Sequence, residues 1–171
     1  CGDYGVLSAV FKTIIELELD PNHVAIVSGI GCSGRFPAFV NAYGFHGVHG
    51  RALPFASGVK LANPELTVLV VGGDGDAFSI GAGHLPHAAR RNVNLTYLVL
   101  DNSIYGLTKG QPSATSPVDI LQDSTVRYKG RQKGMIGMLR LAQSAEPVNP
   151  IAMALSYDAS MVARGFSGWP K

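Results

Sequence analysis

The sequence predicts an α/β fold, a largely parallel sheet flanked by helices. Three observations carry that expectation. The run Leu66 to Val71 is apolar with no polar alternation, as in a strand buried on both faces. Strand-like and helix-like stretches alternate along the chain with short turns between them. Glycine-rich segments, Ser28 to Gly34 and Gly72 to Asp76, stand directly after strand-like runs, at the strand ends where parallel sheets bind ligands.

Val6, Val10, Ile14 and Leu17, joined by Leu7 and Phe11, recur at helical spacing until Asp20-Pro21 stops the helix. His23 to Val27 reads as a short strand that ends in the first glycine-rich loop. A second helix covers Arg51 to Ala62 and is ended by Asn63-Pro64, after which comes the strand Leu66 to Val71. Gly72 to Asp76 makes the following turn, a helix is expected from about Ala77 to Arg90, and Leu95 to Leu100 is a strand ending at Asp101-Asn102. From Pro112 to Pro150 the pattern blurs into Gly, Pro, Ser and basic residues, an irregular excursion at about 112–150. Ile151 to Ala163 returns to helix-and-strand character. No repeat divides the chain, so one domain is expected over 1–171.

With 171 residues, 46% of them apolar, the chain can bury one sizeable core. A net charge of +2 gives no electrostatic case for nucleic acid or for a polybasic membrane patch. No apolar run approaches the roughly 18 residues that span a bilayer. Cys1 and Cys32 are too few for a disulfide scaffold, which favours a reducing cytoplasm. The first residue is Cys1, with no initiator Met, so an incomplete N-terminus is expected.

The chemistry concentrates at two strand ends. Leu66 to Val71 delivers Gly73-Asp74-Gly75-Asp76, where glycines let the backbone approach a phosphate and a carboxylate can hold a magnesium ion bridging diphosphate oxygens. Asn102 follows Asp74 by 28 positions and also stands after a buried strand. If those strands are parallel neighbours, a carboxylate and an amide oxygen meet at one edge of the sheet, which makes a magnesium-diphosphate site.

The plainer reading takes Asp74-Gly75 as a turn and Asn102 as a cap, but the spacing and the paired strands favour the site. An EF-hand fails for lack of its third liganding position and closing Glu. A sugar-nucleotide Asp-x-Asp site leaves Asn102 unused. Gly29-x-Gly31-x-x-Gly34 matches the dinucleotide fingerprint, yet no acid lies between Asp20 and Glu65, and Pro37 sits where the helix should run. His46 with His49, and His84 with His87, lack a third ligand and read as ordinary histidines, the latter pair at a solvated helix end.

Six segments, in order, extend this reading: Cys1-Gly-Asp-Tyr-Gly5, Ser28 to Gly34, His49-Gly-Arg-Ala52, Gly72 to Asp76, Ile104 to Gln111 and Ala163 to Gly168. Together they resemble the beta subunits of 2-oxoacid:ferredoxin oxidoreductases, and the stretch Gly83 to Arg91 resembles 2-oxoglutarate enzymes more than pyruvate ones. The resemblance implies a thiamine-diphosphate-binding fold, with thiamine diphosphate held through Mg2+ on Asp74, Asn102 and the carbonyl of Ile104. It places Gly31, Cys32, Ser33, His49, Gly73, Gly75, Asp76, Gly106, Leu107 and Lys109 around the cofactor. His49 is expected to hydrogen-bond the diphosphate, and Lys109 to face that anion or coenzyme A, unless it is simply a solvated loop lysine. Arg35 is the candidate for the oxoacid carboxylate, which an Arg fork matches bidentately.

The same resemblance implies one [4Fe-4S] cluster, with Cys1 and Cys32 as two of its four thiolates. The other two are missing, so a chain truncated at both ends is expected. The implied reaction oxidatively decarboxylates a 2-oxoacid, 2-oxoglutarate before pyruvate, to its acyl-CoA and passes the electrons to ferredoxin. An alpha subunit is the implied partner and supplies the Glu that activates the cofactor. Two alternatives stay open: a non-catalytic thiamine-diphosphate module, and an iron-free thiamine-dependent decarboxylase or synthase, which leaves Cys1 and Cys32 unexplained.

Overall fold

In a computed structural model of the chain, residues 2–117 and 146–168 are described. Cys1, most of the expected excursion and the C-terminal Trp169-Pro170-Lys171 lie outside them. Helix α1 (Gly2–Glu16) buries Leu7 and Val10. It closes on Glu18 at φ 51°, with Leu19 N donating to Ile14 O at 3.0 Å, a left-handed C-terminal cap. Asp20 then caps a 3-10 turn at Pro21–His23 and leads into β1 (Val24–Ser28), every residue of which is buried.

Four strands form one parallel sheet in the order β2-β1-β3-β4, with β2 at Tyr43–His46, β3 at Thr67–Gly73 and β4 at Thr96–Leu100. Alternation within the central strands feeds two cores. Val24, Ile26 and Val71 face α1 together with Phe36 and Val40. Ala25, Val27, Val68 and Val70 face helix α2 (Ala52–Ala62), where Ala52 and Ala56 are fully packed. Residues of β1 and β3 thus lie between two helical layers, and their sequences are apolar on both faces for that reason.

Two expectations change. The stretch from Ala77 to Arg90 is not one helix: it is a π turn at Asp76–Ile80, a 3-10 turn at Ala82–His84 and a short helix α3 at Leu85–Arg90. Gly81 lies so close to the preceding turn that a Cβ there would stand 2.3 Å from the carbonyl oxygen of Asp76, so the segment folds tightly back on the β3 loop. Past Pro150 the structure has helix α4 (Pro150–Ser156) and then no strand through Ala163. Strand β2 is exposed throughout and four residues long, and Tyr43 with Phe45 alone is too short an alternation to have announced it.

A short antiparallel hairpin follows β4, pairing β5 (Ile104–Tyr105) with β6 (Gln111–Pro112). It brings the chain back to the end of β3. No helix among the described residues is long and apolar enough to cross a membrane.

Ile26 is fully buried between the layers, so Ile26→Ala should cost about 2–5 kcal/mol of unfolding free energy in a urea titration. A change below about 0.5 kcal/mol, typical of surface sites, would place that strand outside the core.

Candidate functional site

In the sheet order β2-β1-β3-β4 the chain leaves β1 toward one edge and returns to the other side as β3. The carboxyl ends of β1 and β3 therefore open a crevice between loops that diverge, the place where open α/β sheets bind ligands. A cavity of about 220 Å³ lies there. The loop after β1 contributes Ile30, Gly31, Cys32 and Ser33, and the loop after β3 contributes Gly73 to Asp76. From β4 onward come Leu100, Asn102, Ile104, Tyr105, Leu107 and Thr108, with His49 and Asp3 on the rim.

The register sets the metal-ligand candidates side by side. Gly73 pairs with Leu100 at the last rung between β3 and β4, and the backbone amide of Asn102 points to Asp74 Oδ1 at 3.4 Å. Asn102 accepts from Ile104 N at 3.0 Å through its side-chain oxygen, a local turn that fixes the amide. Asp74 is 1% exposed, and its other oxygen, Oδ2, accepts from Ser113 Oγ and from Thr115 Oγ1, the latter at 3.0 Å. Thr115 Oγ1 also stands 2.8 Å from Asp101 Oδ1. One hydroxyl proton serves only one of the two carboxylates at a time, so Thr115 alone cannot satisfy both.

Asp76 is the second anchor. Its Oδ1 accepts from Ile30 N at 2.9 Å, Gly50 N at 2.8 Å and His49 Nδ1 at 2.7 Å. One buried oxygen thus joins the β3 loop to the β1 loop and to the segment before α2. A carboxylate only accepts, so Nδ1 of His49 carries a proton and Nε2 is the nitrogen left for a ligand. Asp76 Oδ2 is buried with no partner among the described residues.

A Cβ on Gly29 would come within 2.0 Å of that oxygen, and one on Gly75 within 2.4 Å of the Tyr105 ring. Both glycines are required by close approach. That requirement accounts for the first glycine of the fingerprint-like Gly29-x-Gly31-x-x-Gly34 without a dinucleotide. The helix that fingerprint needs is absent: a 3-10 turn at Ser33–Ala38, with Pro37 inside it, follows Cys32.

Of the residues expected around a cofactor, Gly31, Cys32, Ser33, His49, Gly73, Asp74, Gly75, Asp76, Asn102, Ile104 and Leu107 line the cavity. Gly106 and Lys109 do not, although a Cβ on Gly106 would lie 3.5 Å from Asn102 Nδ2 and 3.7 Å from Cys32 Sγ. Lys109 sits in the hairpin turn at φ 79°. Arg35 also stays outside, its guanidinium 5.9 Å from the centroid of the Phe39 ring. Cys32 is exposed and free, and Cys1 lies outside the described residues. The hydroxyls of Ser113 and Thr115 were missed in the sequence because they lie where its pattern blurs; the run Ser113-Ala-Thr-Ser116 was the one available signal.

A divalent cation and a diphosphate fit this donor set. Among the described residues no group of three or more His, Cys, Asp or Glu could hold a metal ion, so a cation at Asp74 needs amide, carbonyl and phosphate oxygens to complete its shell. Mg2+ takes that kind of all-oxygen shell with few protein carboxylates.

Known proteins share this sequence and fold. Residues 29–167 match the family described as thiamine pyrophosphate enzyme, C-terminal TPP binding domain. The chain is 49% identical over 169 residues to the 2-oxoacid:ferredoxin oxidoreductase subunit beta of Saccharolobus solfataricus, covering 98% of this chain and 51% of that one. It is 43% identical over 167 residues to subunit beta of 2-oxoacid:ferredoxin oxidoreductase 2 of Aeropyrum pernix, covering 98% of this chain and 50% of that one. A solved 2-oxoglutarate:ferredoxin oxidoreductase from Magnetococcus marinus, with 2-oxoglutarate, coenzyme A and succinyl-CoA bound, superposes with a TM-score of 0.83 at 45% identity, over 98% of this chain and 53% of that one. The chain spans about half the length of the curated relatives it matches.

Burial first, and the Asp76 carboxylate second, hold the Tyr97 phenol well above its ordinary value. An unfolded chain loses that proton near about pH 10, while the folded chain keeps it. The folded state then binds more protons, so this group's stability contribution falls as pH rises above about 10. A phenolate absorbance titration should leave at least one of the six tyrosines un-ionised until the chain unfolds, and Tyr97→Phe should remove that late step. Ordinary ionisation of all six would contradict this placement of Tyr97.

Proposed function

The chain belongs to the thiamine pyrophosphate enzymes, through their C-terminal TPP-binding domain, and is a homologue of 2-oxoacid:ferredoxin oxidoreductase beta subunits; on that premise we propose that it is the cofactor-binding part of such an enzyme. The reaction is the oxidative decarboxylation of a 2-oxoacid, with 2-oxoglutarate favoured over pyruvate, to its acyl-CoA with electrons passed to ferredoxin. The observation that carries the proposal is the meeting of Asp74 and Asn102 at the ends of adjacent parallel strands. The setting is cytoplasmic.

When bound, thiamine diphosphate supplies the electron sink that lets a 2-oxoacid lose carbon dioxide. The chain's own part is grip and orientation. Asp74, Asn102 and the carbonyl of Ile104 would hold Mg2+, while Gly31, Ser33, Gly73, Gly75 and Leu107 would shape the wall beside the diphosphate and Gly106 would let the hairpin come close to Asn102. Asp76 fixes His49 by its Nδ1 proton, so Nε2 can donate to a phosphate oxygen only when the ring carries both protons. Lys109 would reach an anion from the hairpin turn. Arg35 would turn from Phe39 toward the cavity to hold the carboxylate of the oxoacid.

Cys32, with Cys1, would supply two thiolates to a [4Fe-4S] cluster beside the cofactor. A cavity of about 220 Å³ suits the diphosphate end more than a whole cofactor, since enclosed ligand sites run to roughly 300–1,000 Å³. No Glu lines it among the described residues. Both points support an alpha subunit that covers the rest of the cofactor and supplies the activating acid.

The assembled protein should reduce methyl viologen when 2-oxoglutarate and coenzyme A are added. Asp74→Ala should lower that rate by at least about 100-fold, since removing even an outer partner of a metal ligand costs about 10–100-fold. Thiamine diphosphate binding without any reduction, across a panel of 2-oxoacids, would mark a non-catalytic module instead. Arg35→Ala should raise KM for the oxoacid about tenfold with little change in kcat, the loss of a charge-assisted hydrogen bond; an unchanged KM removes Arg35 from the substrate site.

A further inference from the structure

We propose that Thr115 and Ser113 are positioning residues for the metal, a hydroxyl pair that sets Asp74 against the β4 end. The inference rests on the reading of Asp74 and Asn102 as Mg2+ ligands. Asp74 Oδ2 stands within hydrogen-bond reach of both hydroxyls, whereas Oδ1 meets only the Asn102 amide at 3.4 Å. Oδ2 is therefore the oxygen turned toward the hydroxyls, and Oδ1 is the one with room for a further partner. The hydroxyls thereby choose which oxygen is free for a cation.

Thr115 does more than cap one group. Its Oγ1 lies 3.0 Å from Asp74 Oδ2 and 2.8 Å from Asp101 Oδ1, bridging the residue after β3 to the residue after β4. Asp101 is next to Asn102, so a hydroxyl held between the two carboxylates sets the spacing of the two side chains that would share the metal. Thr115 and Ser116 are buried, and the turn that carries them is itself held in place. Ser116 Oγ donates to Ser103 O and accepts from Ser113 N, the latter at 2.8 Å, and Val148 N donates to Ala114 O at 2.8 Å. A turn secured at Ser103 and Val148 is a fixed support for Asp74.

Groups that hydrogen-bond a metal-ligating carboxylate typically change metal affinity by about 10–100-fold when removed. The test uses the assembled protein with thiamine diphosphate and reads bound Mn2+ from the loss of its free-ion electron paramagnetic resonance signal. Thr115→Val, equal in shape but without the hydroxyl, should weaken Mn2+ binding about 10–100-fold. Thr115→Ser, which restores the hydroxyl, should stay within about threefold of wild type, below that range. At saturating Mn2+ the amount of bound cofactor should recover in Thr115→Val, because the defect is in the metal site.

Should Thr115→Val fail to fold, Ser113→Ala carries the same test, with binding expected at least about threefold weaker. Unchanged affinity in Thr115→Val or in Ser113→Ala overturns the assignment, as does a Thr115→Ser as weak as Thr115→Val. Wild-type protein with no cofactor-dependent Mn2+ binding overturns the metal reading along with it, so the two failures are told apart by the wild-type curve.

Discussion

The pairing of Gly73 with Leu100, at the last rung between two adjacent parallel strands, is the constraint on which the site depends. Parallel strands that end level deliver their next residues to one edge of the sheet, and here those residues include Asp74 and Asn102. A shift of register by one residue would turn Leu69 and Val71 from one helical layer to the other, so the two cores hold the rung in place. The chemistry at the edge is thus fixed by packing beneath it. Ile26, Val70 and Val71, all fully buried, form the floor.

On that floor the loops are joined by carboxylates more than by apolar contact. Asp76 gathers two backbone amides and His49 on a single oxygen, and Asp74 gathers two hydroxyls. Charged acceptors bonded by several donors give strong, directional ties. They leave the mouth of the crevice lined by glycine and backbone, where an anion such as diphosphate can come close. Under the proposed function, a cation between these carboxylates and a diphosphate would balance both. Tyr97 sits beneath, and the field of Asp76 adds to burial in keeping its phenol neutral.

Much of this was legible in the sequence where one physical signal dominated. The strands β1, β3 and β4 were readable because burial on two faces removes polar alternation, and Asp74 with Asn102 because spacing and strand ends agree. Strand β2 was not, since Tyr43 to His46 are all exposed and too short a run to carry a core pattern. The helix expected through Ala77 to Arg90 failed because Gly81 packs against the carbonyl of Asp76, a contact that periodicity does not encode. Ser113 and Thr115 act on a carboxylate 39 and 41 positions away, and no local spacing connects a serine or threonine to such a partner. Arg35 shows the converse: the residue was nameable from its neighbours, but its guanidinium stands over Phe39, outside the cavity.

The most direct test of the metal-diphosphate site is a crystal structure of the protein grown with thiamine diphosphate and Mg2+. An octahedral ion is expected, with Asp74, Asn102 and the Ile104 carbonyl at about 2.0–2.1 Å and diphosphate oxygens completing the shell. A diphosphate bound elsewhere, for example in the larger groove beside Asn22, Tyr43 and Asn63, or a metal that bypasses Asp74, would contradict it.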